Sequence, residues 1–170
     1  QPGILANVTL PGLSAVYAKR FSETNAFQRI LDETSAQLKS LGVATEPRFR
    51  RVTVTSFSAG FGGVRELLKN PATFARIDAL VMADSIYAGY IGEPTERTVN
   101  SANMDGFLKF AREAAAGRKC LILTHSAQRP EGYASTTETA DYLIAQLGGK
   151  REEVSEAWAG GLQLTSRFRK

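Results

Sequence analysis

Apolar residues form three short, nearly continuous runs that alternate with stretches of helical periodicity. The runs are RVTVTSF at Arg51–Phe57, IDALVMA at Ile77–Ala83 and KCLILT at Lys119–Thr124. Strands that are apolar on both sides are typical of a parallel sheet with helices packed on each face. The pattern therefore predicts a three-layer α/β fold, with a mainly parallel sheet and helices on both faces.

Helical periodicity and end signals predict the remaining elements, with less regular patterns near the two ends of the chain. The Ser135 and Glu138 pair fits a capping box at the start of one of the helices. The predicted elements are a strand at Ala6–Leu10, a loop at Pro11–Ser22, helices at Phe27–Leu41, Met104–Ala116 and Ser135–Leu147, a short helix at Glu152–Trp158 and a strand after it.

A long irregular stretch, rich in Gly, Pro, Thr and Asn, runs from Ser85 to Asn103. Loops of this length without secondary structure are uncommon unless they have a function. The stretch leaves the sheet at the carboxyl end of a predicted strand. We therefore expect it to overhang a site at that edge, with Tyr87 and Tyr90 lining a substrate pocket.

The composition of the chain argues against several classes of protein. The chain has 170 residues, 43% of them apolar, which is typical of a single globular domain rather than a disordered chain. No apolar run reaches the ~20 residues that a membrane-spanning helix needs. A single cysteine excludes an internal disulfide and a cysteine-based zinc cluster. The net charge of +4 is concentrated in two short segments and does not favour a nucleic-acid partner.

A residue with a catalytic type of side chain directly follows each of the three apolar runs. These residues are Ser58, Asp84 and His125. The carboxyl ends of parallel strands share one edge of the sheet, where active sites of such folds gather. His125 is the only histidine, so a histidine-dependent step carried by this chain must use it. Asp84 also fits the simpler role of an aspartate that caps a turn.

The segment around Ser58 has the composition of a tight strand-to-helix turn. Ser56 and Gly60 supply small side chains two residues before and after it, as a turn that presents a nucleophile requires. Gly62 and Gly63 allow the following helix to pack closely. The amino terminus of that helix would place N–H groups and a positive dipole beside a developing oxyanion.

The same segment is also compatible with two other functions. A dinucleotide-binding turn needs a third glycine where Arg65 stands, and the P-loop pattern is absent from the sequence. A nucleotide- or phosphate-binding α/β module using Gly60–Gly63 is therefore one alternative. A non-catalytic interaction domain of the same fold is the other.

The segments RVTVTSFSAGFGG, IDALVMAD and KCLILTHS, within residues 51–126, resemble the central part of the α/β-hydrolase superfamily in its serine-hydrolase branch. The resemblance implies that Ser58 is the nucleophile and that the Ala59 N–H is part of the oxyanion hole. Asp84 and His125 would complete a triad in the family's chain order. The implied reaction is hydrolysis of a small-molecule ester without a metal or organic cofactor.

The chain departs from the family at both ends. Strands and a glycine-containing oxyanion loop that precede this region in the family have no counterpart before Ala6. The family histidine usually follows one strand later than His125 does. We therefore expect residues 1–170 to form one α/β-hydrolase-like domain, and two interpretations stay open. Either the domain is incomplete at both ends and the catalytic histidine lies beyond Lys170, with His125 as a pocket residue, or it is a compact domain with His125 as the base. The sequence leaves the cellular location open.

Overall fold

The computed structural model of the protein describes residues 3–157, 159–161 and 163–169. Single 3₁₀ turns occupy Ser58–Gly60 and Ala159–Gly161. The remaining elements are, in chain order, α1 (Ser14–Phe21), α2 (Ala26–Ser40), β1 (Thr53–Phe57), α3 (Phe61–Lys69), α4 (Pro71–Arg76), β2 (Ala79–Ala83), β3 (Tyr90–Ile91), β4 (Thr98–Val99), α5 (Ser101–Ala115), β5 (Cys120–Thr124), α6 (Thr136–Gln146), β6 (Lys150–Ala157) and β7 (Gln163–Arg169).

The central sheet has three parallel strands in the order β1-β2-β5. Its register aligns Phe57 with Ala83 and Ala83 with Thr124, so the three strands end level with one another. The three predicted strands and their parallel pairing are confirmed, and the protein belongs to the α/β class. The predicted capping box of Ser135 and Glu138 also forms, and it starts α6.

One face of this sheet is buried under helices. Leu80 and Met82 of the central strand are fully buried on this face, together with aromatic side chains of α5 such as Phe107 and Phe110. Helix α3 follows β1 and contacts it, α5 contacts β5, and α3 and α5 contact each other. Alternation along each strand directs every second side chain into this core.

The opposite face of the sheet is open. Phe57 at the end of β1 is 74% exposed and Ile122 of β5 is 50% exposed, and Cys120 of β5 is exposed on the same face. The predicted second layer of helices is therefore not confirmed by this structure. Strands that are apolar on both sides require a cover for each face, but they do not specify which segment provides it.

Three predictions for the two ends of the chain are wrong. Residues 6–10 form no strand, and α1 occupies most of the predicted loop at Pro11–Ser22. The predicted helix at Glu152–Trp158 is instead strand β6, antiparallel to β7, and Trp158 lies outside the described residues. Glu152 and Glu156, which are four residues apart as on one face of a helix, instead form ion pairs across the hairpin, both with Arg167.

The stretch between β2 and α5 is more regular than its composition suggests. Strands β3 and β4 form a small antiparallel hairpin, and Ala88 pairs with Ala134 ahead of α6. The Asn103 side chain accepts a hydrogen bond of 2.8 Å from the Gly89 N–H. These contacts fix the segment against α5 and α6. Among the described residues, no helix has the length and apolar character needed to cross a membrane.

Candidate active site at the carboxyl edge of the sheet

Ser58 lies in a strained turn between β1 and α3. Its φ is +46°, and within the described chain only one other non-glycine residue, Asp84, has a positive φ, also +46°. Side chains with a Cβ avoid this region because of steric overlap, and such strain is found mainly at functional sites. Ser58 is exposed, so the turn presents its hydroxyl to solvent.

The turn has no room for larger side chains around Ser58. A Cβ on Gly60 would lie 2.6 Å from Ser56 Oγ, and Ser56 is itself buried. Gly62 and Gly63 lie equally close to α1, since a Cβ on either would meet Ser14 or the Phe21 ring at less than 3 Å. The glycines therefore allow α3 to start only three residues after Ser58, with α1 packed against it.

The backbone N–H groups of the turn include that of Ala59, the predicted oxyanion donor. Ala59 is the second residue of the 3₁₀ turn that leads into α3. The first N–H groups of a helix have no acceptor within the helix, so they are available to an anion. Ala59 is therefore among the residues whose N–H groups lie at the start of this turn.

Ser58, Asp84 and His125 occupy the same row at the carboxyl edge of the sheet. Each is the residue that follows an aligned strand end, with Asp84 on the central strand. Neighbouring strands are about 4.8 Å apart, so the backbones of Ser58 and His125 are roughly 10 Å apart. In the part of the chain that the structure describes, no hydrogen bond joins any two of these three side chains.

The Asp84 carboxylate binds the segment that follows β5 instead of His125. It accepts hydrogen bonds from the Ser126 N–H at 2.9 Å, the Ser126 hydroxyl at 3.0 Å and the Thr136 hydroxyl at 2.5 Å. Burial raises the pKa of Asp84, but the hydrogen bonds from Thr136 and Ser126 outweigh burial and leave the pKa below its ordinary value of 3.8. In this structure Asp84 fixes the loop that carries His125.

Asp84 should make the fold sensitive to acid. Because its pKa is lowered in the folded state, its contribution is present above pH 3.8 and is lost as the pH falls through the lower folded-state pKa. We expect Asp84→Asn to reduce the free energy of unfolding at pH 7 and to flatten its decline below pH 4. Denaturant unfolding at a series of pH values measures both effects. An equally steep decline in the variant would contradict this role.

His125 is oriented by Thr137. The Thr137 Oγ1 lies 3.1 Å from Nδ1 of His125 and donates its proton to the Ser126 carbonyl at 3.0 Å. A hydroxyl has one proton, so both bonds form together only if Nδ1 carries the imidazole proton. The lone pair is then on Nε2, which is the form that a general base needs.

An aromatic cluster stands beside Asp84. The Tyr87 ring lies 5.3 Å from Phe61 and 5.4 Å from Tyr133, and the Tyr87 hydroxyl is 3.5 Å from the Asp84 carboxylate. The Arg65 guanidinium lies 5.0 Å from the Phe61 ring centre and donates a hydrogen bond to the Tyr87 carbonyl. Burial, followed by the charge of Asp84, raises the pKa of Tyr87. This places the predicted pocket residue Tyr87 at the edge that carries Ser58.

Tyr90 belongs to a different cluster. Its hydroxyl donates a hydrogen bond of 2.8 Å to Glu138, and the Arg97 guanidinium lies 4.0 Å from its ring centre. It lines a cavity of about 620 Å³ between the β3–β4 hairpin and α6. Tyr90 therefore lines this cavity, while Tyr87 contacts Asp84 and Tyr133.

Sequence reasoning overlooked Phe61, Ser85 and Thr137. Phe61 is three residues beyond Ser58 at the start of α3, and helical spacing alone would place it on the same side. Ser85 donates a hydrogen bond of 2.9 Å to the Ser58 carbonyl, and Thr137 orients His125. No local pattern marks either hydroxyl, because each acts on a residue that is distant in the chain.

The described residues hold no cluster of three or more His, Cys, Asp and Glu side chains that could bind a metal ion. Comparison of the chain with protein-family models, with curated proteins and with solved structures found no match. The residues of the site are therefore the basis for inferring the function of the chain.

Proposed function

We propose that this protein is a serine hydrolase that cleaves small-molecule esters, with Ser58 as the nucleophile. The observation that carries the proposal is the left-handed backbone of Ser58 in a strand–turn–helix segment. This strained turn lifts the side chain above the end of the sheet. The close approach of Gly60 to Ser56 and the exposure of Ser58 support the same role.

Each neighbouring group has a part in the proposed reaction. Nε2 of His125 accepts the proton of Ser58 as its hydroxyl attacks the acyl carbon, and the Ala59 N–H donates to the oxyanion. The negative charge of Asp84, one strand from both partners, stabilises the imidazolium, while Thr137 holds the ring. Water then cleaves the acyl-enzyme. The backbones of Ser58 and His125 are ~10 Å apart, and their side chains span this distance by extending toward each other.

The finer fold is part of this proposal. We infer an α/β-hydrolase-like arrangement, in which a second helical layer covers the open face of the sheet. The exposure of Phe57 and Ile122 supports this, since a parallel sheet is normally buried on both faces.

A fluorophosphonate probe tests the proposal directly, because it phosphonylates activated serines. We expect peptide mapping by mass spectrometry to find the added mass on the peptide that contains Ser58. Prior incubation with an excess of a small acetate ester should slow the labelling. Modification elsewhere, or no modification of the folded protein, would refute the proposal.

A non-catalytic interaction domain is the second candidate. It is favoured by the hydrogen bonds of Asp84 to Ser126 and Thr136, which occupy the carboxylate of the expected triad. The open sheet face also agrees with it. This candidate requires a folded protein that neither reacts with the probe nor hydrolyses esters.

The role of His125 can be separated from that of Ser58. We expect His125→Ala to slow probe labelling about 10²-fold, the lower range for loss of a general base. Thr137→Val keeps the side-chain shape but cannot accept from Nδ1, so it should give a smaller decrease in the same rate. Stopped-flow or gel-based labelling kinetics measure both. An unchanged rate in His125→Ala would mean that another group, inside or outside residues 1–170, is the base.

A further inference from the structure

Two buried hydroxyl groups lie beneath the turn that carries Ser58. Ser85, the residue after Asp84, is fully buried, and Ser56 is 9% exposed. Their Oγ atoms are 2.6 Å apart, and Ser85 Oγ is 2.9 Å from the Ser58 carbonyl oxygen. A chain of hydrogen bonds therefore connects the inward side of β1, through the residue after β2, to the backbone of Ser58.

Proton counting fixes the direction of this chain. Each serine hydroxyl carries one proton, and a carbonyl can only accept. Ser85 donates its proton to the Ser58 carbonyl, so Ser56 must donate to Ser85. Ser56 therefore has two roles: it is small enough for the close approach of Gly60, and it donates a hydrogen bond to Ser85. An alanine at position 56 would fill only the first role.

The hydrogen bond from Ser85 to the Ser58 carbonyl also links the two residues with strained backbone at this edge. Ser58 and Asp84 both have a φ of +46°, and Ser85 directly follows Asp84. Left-handed backbone at a residue with a Cβ persists only where its surroundings determine it. The turn at Asp84 directs Ser85 under β1, and the Ser85 hydroxyl then holds the carbonyl of Ser58.

We propose that Ser85 is a positioning residue for Ser58: its hydroxyl holds the backbone of the turn in the orientation that presents the nucleophile. This inference rests on the proposed hydrolase function. Ser85 acts through the Ser58 carbonyl and does not contact the substrate. Ser56 contributes only by donating to Ser85.

The test compares Ser85→Ala with a matched variant. The labelling rate constant and the apparent binding constant of the fluorophosphonate are measured separately from their dependence on probe concentration. We expect Ser85→Ala to lower the rate constant by ~10-fold or more, because small displacements of a reacting atom are costly. Probe binding should stay unchanged. Thr139→Val is the control, since Thr139 is equally buried and donates to the Ile86 carbonyl at 2.7 Å.

These readouts separate positioning from a general loss of stability. Partial unfolding lowers the fraction of protein that becomes labelled, whereas a misplaced Ser58 lowers the rate constant of the folded fraction. A normal rate constant in Ser85→Ala, or an equal decrease in Thr139→Val, would overturn the inference while leaving the hydrolase proposal intact. If the wild-type protein is not labelled, the hydrolase proposal fails and this inference fails with it.

Two further variants keep the test decisive if Ser85→Ala does not fold. Ser85→Cys keeps nearly the same side-chain shape but has a much weaker hydrogen-bond donor. Its labelling rate constant should therefore lie between that of the wild type and that expected when the hydrogen bond is absent. Ser56→Ala removes the donor to Ser85, and its effect should not add to that of Ser85→Cys. Wild-type rate constants in both variants would overturn the inference.

Discussion

Replacing Ser58 with alanine should lower the rate of ester hydrolysis at least ~10⁴-fold, because loss of the nucleophile removes the covalent route entirely. The remaining rate would be the small acceleration due to binding and oxyanion stabilisation alone. Hydrolysis of a chromogenic acetate ester, followed by absorbance in the presence of purified variant, measures this effect. The fold should be unaffected, since the Ser58 side chain is exposed.

A serine distant from the site provides the control for this substitution. Ser40 is exposed at the end of α2 and donates only to the Gln37 carbonyl, so Ser40→Ala should retain wild-type turnover. Equal hydrolysis by wild type and Ser58→Ala would show that the activity belongs to another group or to a contaminant. In that case the strained turn would need a different explanation.

The substitution Gly62→Ala should destabilise the fold by about 2–3 kcal/mol, in the upper part of the range for overpacking. An alanine in a helix is normally favoured over glycine by up to ~1 kcal/mol. Here, however, the new Cβ would lie 2.2 Å from the Ser14 carbonyl oxygen and 2.9 Å from the Ser14 carbonyl carbon. Both atoms are backbone, so the clash is relieved only by moving α1 away from α3.

Denaturant unfolding of Gly62→Ala measures this cost. Gly132→Ala is the control, since nothing lies within 4 Å of a Cβ at that position and its φ is not in the left-handed region. That control should change the free energy of unfolding by less than ~0.5 kcal/mol. If Gly62→Ala is as stable as wild type, α1 does not pack against the start of α3 as the structure shows.

Local patterns were sufficient for the central strands and for the turn around Ser58. The apolar runs ending at Phe57, Ala83 and Thr124 are long enough to distinguish strands from loops, and the capping box at Ser135 marks a helix start. The ends of the chain were harder to predict. The charged segment at Lys150–Ala157 has helical spacing, yet pairing with β7 overrides it, and propensity is a weak guide where tertiary contacts compete.

The amino-acid sequence alone was enough to place Ser58, Asp84 and His125 at strand ends, because strand boundaries depend on neighbouring residues. Their hydrogen-bond partners depend on residues far away in the chain, and only the folded structure reveals them. The Thr136 hydroxyl, 52 residues along the chain from Asp84, donates a hydrogen bond to the Asp84 carboxylate. The Ser85 hydroxyl, 27 residues from Ser58, donates a hydrogen bond to the Ser58 carbonyl. The physical reason is that strand order and register decide which loops meet, and a local pattern contains neither.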